Sequence, residues 1–146
     1  MKIEILTLFP GMFEGVLGES MVKIARKKGI VDIKVHDLRK WTSDRHKTAD
    51  DKPFGGGPGI VMKVEPVDRA LEEIKGKSRT GPPEVILLTP QGRIFDQALA
   101  GEISACRHIV LVCGHYEGFD ERIRSLADME VSLGDFIMTC GEIPAL

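Results

Sequence analysis

Apolar and polar positions along the chain repeat with two periods, and the alternation between them predicts the elements. Lys2–Leu8 alternates as a strand does, and Ile30–Asp37 does the same, with Ile and Val inward and Asp, Lys and His36 outward. Between them, Phe13, Leu17, Met21, Ile24 and Ala25 recur at helical spacing, predicting one helix from Gly11 to Lys28 that Gly29 stops. Ile60–Lys63 suits a short strand, and Val67, Ala70, Leu71 and Ile74 mark one face of a helix over Val67–Ile74. Glu84–Thr89 (EVILLT) and His108–Cys113 (HIVLVC) are unbroken apolar runs, as in strands covered on both faces; His108 is expected to point outward. Phe95–Cys106 and Glu121–Ala127 read as helices, and Met129–Leu133 as a last strand. Strands alternating with helices define an α/β protein with a mainly parallel sheet flanked by helices.

Two stretches lack any period. Gly76–Pro83 is a polar connection, whereas Leu38–Gly59 runs about twenty residues, a length that in a compact domain points to function. A chain of 146 residues corresponds to one domain over 1–146. Its formal charge of −2 is uneven: residues 1–63 carry 12 basic and 8 acidic side chains, residues 64–146 carry 8 and 14. A polyanion therefore suits the first part and not the second. No apolar run approaches a membrane span, and Met1–Leu6 opens in a strand pattern without a signal-peptide layout, so a cytoplasmic protein with no membrane partner is expected. Cys106, Cys113 and Cys140 are odd in number and lack CxxC spacing, which favours buried, reduced thiols over disulfides or structural zinc. The last residues, Gly141-Glu142-Ile143-Pro144-Ala145-Leu146, read as the opening of a helix, so a piece of a longer protein is expected.

Candidate chemistry gathers where the last three strands end. Each runs into a loop that begins at or contains glycine: Thr89–Arg93, Gly114–Arg122 and Gly134–Glu142. Ligands of open α/β sheets bind at such carboxyl ends, and glycine lets backbone N–H and C=O groups approach them. The cluster Gly55–Gly59 has neither the G-x-G-x-x-G spacing nor a following Lys-Ser/Thr, which excludes the common dinucleotide and triphosphate cradles and favours an adenosine ligand without phosphates. Arg39, Lys40, Arg45, His46, Lys47 and Lys52 surround Trp41, with Phe54 nearby. Such a loop either holds RNA through phosphate contacts and base stacking, or is a solvated loop that Trp41 anchors to the core. Arg26-Lys27-Lys28 are favourable charges at a helix end. His46 with Asp50 and Asp51 is either a metal or acid–base cluster or a set of loop-ordering groups. Glu117, Asp120 and Glu121 could hold a ribose hydroxyl, a cation or an amine, Asp120 could equally cap a helix, and Arg122 and Arg124 could pair with them.

These segments carry a resemblance. Ile5–Pro10 (ILTLFP), Arg45–Gly59 (RHKTADDKPFGGGPG), Thr89–Arg93 (TPQGR), Cys113–Arg122 (CGHYEGFDER) and Leu133–Met138 (LGDFIM) together resemble the bacterial tRNA (guanine-N1)-methyltransferases, within the SPOUT methyltransferases. The resemblance implies a sheet ending in a deep trefoil knot. Its three loops would hold S-adenosyl-L-methionine, and the acceptor would be N1 of the guanosine at position 37 of tRNA. Carried over by position, the cofactor residues are Leu88, Thr89 and Pro90; Gly114, Tyr116 and Glu117; then Leu133, Gly134, Asp135, Phe136, Ile137, Met138, Cys140 and Gly141. Arg45, His46, Lys47, Asp50, Gly57 and Gly59 would meet the RNA, and Glu117 would stand nearest a magnesium ion. A homodimer is implied as well. The family's catalytic Asp and Arg would fall after Leu146, leaving Glu117 and Asp120 as this chain's own candidates. Cys140 departs from the family's Gly, which is harmless only if its φ is negative. The competing readings are a non-catalytic RNA- or adenosine-binding module and another SPOUT RNA methyltransferase.

Overall fold

A computed structural model describes residues 1–52, 56, 59–79, 81–116 and 118–146. Five parallel strands form its sheet in the order β2-β1-β6-β5-β7: β1 Lys2–Thr7, β2 Asp32–Asp37, β5 Glu84–Ile94, β6 His108–Cys113 and β7 Met129–Ser132. The two unbroken apolar runs occupy adjacent interior strands, and their side chains go alternately to two cores. On one face Leu6, Val85, Leu87, Val110 and Val112 meet Val67, Ala70, Leu71 and Ile74 of α3 (Val64–Lys77). On the other, Ile5, Ile86, Ile109 and Val131 pack with Phe13 and with Leu99 of α4 (Gln97–Ser104). Full burial of each such Leu, Ile or Val contributes roughly 1.5–3 kcal/mol, so both layers are needed to hold the sheet. The side chain of Asp96 accepts the Leu99 N–H at 2.8 Å, which sets the start of α4.

Several expectations change. The single helix over Gly11–Lys28 is broken into a 3-10 turn Pro10–Phe13, α1 Glu14–Leu17 and α2 Ser20–Lys27, with Ser20 at a φ of 49° across the break. The break turns α2 away, leaving Met21 71% and Ile24 45% exposed instead of buried. Gly29, at a φ of 69°, does end the segment. The aperiodic stretch is not wholly irregular: Leu38–Trp41 forms a 3-10 turn, and β3 (Asp50–Asp51) pairs antiparallel with β4 (Val61–Met62). Helix α3 is longer than its apolar face, running from Val64 to Lys77 and so into the expected connection. The helix expected over Glu121–Ala127 is the single turn α5, Glu121–Arg124. Of the thiols only Cys113 is buried; Cys106 and Cys140 are half-buried.

β5 also runs past its expected end. Leu88 and Arg93 both face Val131 of β7, so residues 89–92 bulge out before the strand resumes. Gly92 makes this possible, because a Cβ there would lie 2.4 Å from the Val131 nitrogen.

His108 does not point outward. It is 3% exposed, and its Nε2 lies 3.1 Å from Glu4, while Ser78 meets its Nδ1 at 3.0 Å. Glu4 is itself buried and also takes Lys2 and, at 2.6 Å, His36. The register explains the meeting: Lys2 faces His108 and Leu6 faces His36, so all of these share one side of the sheet with Glu4.

Candidate functional site

The bulge in β5 and the ends of β6 and β7 enclose a half-open cavity with about 650 Å³ of empty space, its mouth included. Leu88, Thr89 and Pro90 line it from the first loop, and Gly114 and Tyr116 from the second. Leu133, Phe136, Ile137, Met138, Cys140 and Gly141 line it from the third. Two expected residues do not line it. Gly134 forms a turn, exchanging hydrogen bonds with the Ser132 hydroxyl and accepting the Phe136 N–H at 2.9 Å; Asp135 sits within that turn and does not line the cavity. Glu117 lies outside the described residues. His115, Gly118, Phe119, Val131, Ser132, Thr139 and Pro144 also line the cavity and were not expected. All seven lie beside or within the glycine loops, so their segments were visible although their orientation was not.

Glycine is required where the loops touch. A Cβ on Gly141 would lie 2.5 Å from the Gly114 nitrogen, and its own N–H donates to the Gly114 carbonyl at 2.7 Å. A Cβ on Gly114 would lie 2.7 Å from the Phe119 ring. The second and third loops are therefore in main-chain contact, with no side chain between them. Cys140 is not among the positive-φ residues, so its backbone takes an ordinary conformation. Tyr116 does hold a positive φ, 62°, which turns its ring toward Asp50; the phenol donates to Oδ1 at 3.5 Å. Burial first, and then the Asp50 carboxylate, push the Tyr116 phenol above its usual value, so it stays a neutral donor. His115 packs between Phe9 and Tyr116, at ring centroids of 4.6 Å and 4.7 Å, and its buried Nδ1 has no partner among the described residues.

The basic segment adjoins this cavity through the main chain. Met62 of β4 donates to the Gly118 carbonyl at 3.0 Å and accepts from the Asp120 N–H at 3.1 Å. Above that stitch, Arg45, His46 and Lys47 are exposed, and Asp50 is half-buried beside Tyr116. Gly59 takes a φ of 87°; Gly57, Pro58 and Pro53–Gly55, with Phe54, lie outside the described residues. Asp44 shapes the loop by accepting the Thr48 N–H at 2.9 Å and hydroxyl at 2.7 Å, and these bonds hold its carboxyl below the usual range. Trp41 is no free stacking platform. It packs on the core, and its indole N–H donates to Glu73 of α3 at 2.7 Å. Of the two readings of His46, Asp50 and Asp51, the cluster finds no support: Asp51 pairs with Lys63 at 3.9 Å and Asp50 meets Tyr116. Among the described residues, no group of three or more His, Cys, Asp or Glu side chains is arranged to hold a metal.

Asp120 caps α5, accepting the Arg122 N–H at 3.0 Å, and its two oxygens take the Arg122 guanidinium at 2.9 Å and 2.7 Å. That guanidinium holds the Asp120 carboxyl below its usual range, which makes it a poor proton acceptor near neutrality. Arg124 bridges Glu130, at 2.9 Å and 2.7 Å, and Glu121.

The family model described as tRNA (Guanine-1)-methyltransferase TrmD matches residues 1–146. The chain belongs to this family. It is 53% identical over its whole length to the tRNA (guanine-N(1)-)-methyltransferase of Desulforudis audaxviator, covering 58% of that protein. The corresponding methyltransferase of Carboxydothermus hydrogenoformans is 55% identical, with 56% of its length covered. Its fold matches the crystal structure of a tRNA (m1G37) methyltransferase from Aquifex aeolicus, with a TM-score of 0.89 at 39% identity, over 99% of this chain and 65% of that one. The chain thus spans little more than half the length of these curated relatives. Among the described residues, no helix is long and apolar enough to cross a membrane.

Proposed function

We propose that this chain is the donor-binding part of an enzyme that methylates N1 of guanosine 37 in tRNA with S-adenosyl-L-methionine. The single observation that carries the reading is the backbone-to-backbone meeting of Gly114 and Gly141 at the mouth of three adjacent parallel strands. This contact draws the second and third loops together around one cavity, whose apolar walls of Leu88, Phe136 and Ile137 suit a flat adenine base. Glu117, Gly134 and Asp135 complete the proposed cofactor set, and the trefoil knot implied by the resemblance is part of the same proposal. Bound donor supplies an electrophilic methyl group. This chain's residues bind and orient it, so proximity is their contribution to the rate.

Removing the N1 proton of guanine needs a general base, and the growing charge on the base needs a cation. Asp120 is already committed to Arg122 and Glu117 lies outside the described residues; we assign both tasks to the Asp and Arg that the resemblance implies. Glu117, which the resemblance places nearest a magnesium ion, lies outside the described residues. Arg45, His46 and Lys47, with Asp50, Gly57 and Gly59, are the proposed RNA contacts. A second copy of the chain is proposed to cover the exposed apolar residues at the cavity's rim, of which Ile137 is 86% and Phe136 57% exposed. The cytoplasm is the proposed compartment. Calorimetry with S-adenosylmethionine and its demethylated product tests the pocket: saturable heat and a thermal shift are expected, and neither appearing sinks the assignment. Mapping the methylated atom on tRNA treated with the full-length protein separates N1 of guanine from a ribose hydroxyl; no methylation would favour a binding module.

A further inference from the structure

Glu142 is fully buried, and among the described residues its carboxylate has one partner: Oε1 accepts the Thr7 hydroxyl at 2.6 Å, and Oε2 has none. Thr7 is equally buried, at the end of β1, and its hydroxyl oxygen accepts the Phe9 N–H at 2.8 Å. A buried carboxylate with an unpaired oxygen is costly, and a hydrophobic residue would fill the space more cheaply. The place it occupies suggests what offsets that cost. Glu142 follows Gly141, the residue whose N–H donates to Gly114, and burial first, then the Glu142 charge, push the neighbouring Cys113 thiol well up. The carboxylate therefore lies behind the wall that Gly114 and Gly141 build. Phe9, held by Thr7, packs its ring on His115 of the second loop. One hydroxyl thus joins both loops to β1.

We propose that Thr7 and Glu142 are a positioning pair, which fixes the separation of the second and third loops and so the shape of the donor pocket. The proposal rests on the donor-binding reading given above. It assigns neither residue a contact with the ligand, only the geometry of Gly114 and Gly141 that the ligand meets. A role confined to stability would lower the melting temperature and leave the donor affinity of the folded protein unchanged.

The test is the dissociation constant of S-adenosylmethionine, measured by calorimetry on the whole chain alongside circular dichroism and thermal melting. Thr7→Val, which removes the donor, is expected to weaken binding about tenfold or more, as loss of a hydrogen bond to a charged group does. Thr7→Ser keeps the hydroxyl and is expected to stay within about twofold of the unaltered protein. Donor affinity unchanged in folded Thr7→Val overturns the proposal. If Thr7→Val does not fold, Glu142→Asp decides: it keeps the charge and withdraws it by one methylene, and about fivefold weaker binding is expected, whereas unchanged affinity overturns the pairing. Should the unaltered protein itself bind no donor, the donor-binding reading fails first and this proposal falls with it.

Discussion

Strand β1 has a buried carboxylate near each end, and the two are treated differently. Near its start, Glu4 is met by Lys2, His36 and His108, and Ser78 satisfies the far nitrogen of His108. Near its finish, among the described residues, Glu142 has one oxygen on Thr7 and one without a partner, and His115 close by has an unpaired nitrogen. The first network is closed, so its contribution is stability. The second is open and lies behind the cavity, so its groups are available to shape a site at some cost in stability. Polar burial by itself therefore does not mark function in this fold; incomplete satisfaction beside a cavity does.

Substitutions at the two ends should separate accordingly. The largest effect is expected from Gly141→Ala. Its Cβ meets main-chain atoms that cannot give way, so donor binding should weaken about a hundredfold and stability fall by about 3 kcal/mol, measured by calorimetry and urea unfolding. Gly101→Ala, in α4 with open space around it, serves as the contrast and should stabilise by about 0.5–1 kcal/mol. Loss of binding in both variants would break the distinction.

Glu4→Gln comes next, with about 2 kcal/mol lost and donor affinity unchanged. A change in affinity would show that the closed network also reaches the pocket. Acid should reveal the same network. Burial alone would raise the Glu4 carboxyl, but Lys2 and His36 overcome it and hold the value below 4.5. Burial, and then Lys2, lower the His108 ring below 6.5 against the pull of Glu4. With both folded values depressed, their stabilisation is complete above the ordinary values and is lost as pH falls through the depressed ones. Urea unfolding should thus show stability declining below pH 6.5, then further below 4.5, with the second decline flattened in Glu4→Gln.

The smallest effect is expected at the basic loop. Asp44→Ala frees Thr48 and should weaken tRNA binding about threefold, with no change in melting temperature. A fall in donor affinity as large as that in RNA affinity would mean that the Met62 stitch transmits loop order into the pocket.

What the sequence revealed of this followed the range of the signal. EVILLT and HIVLVC announced interior strands because both their faces are covered, and the glycine loops after them announced a cavity. The face of α3 was equally plain. Local pattern failed where a distant partner decided the outcome. His108 looked exposed because Glu4, 104 residues away, was invisible to it. Met21 and Ile24 looked buried because nothing in the spacing shows that Ser20 turns the chain. The β3–β4 pairing spans two residues on each side, too few to leave a period. Gly141–Leu146 read only as the opening of a helix, since the partner of Glu142 belongs to the other end of the chain.

That separation has a consequence in time. A ribosome adds Glu142 135 residues after Thr7, and the β6 neighbour of β1 is also more than a hundred residues downstream. Until then β1 has only β2 beside it, and its other edge is open in the nascent chain. Pairing across such distances is slow, and an apolar edge left waiting is prone to misassembly. An interior strand of the finished sheet, β1 is therefore among the first made, and its second edge stays open until β6 has been synthesised.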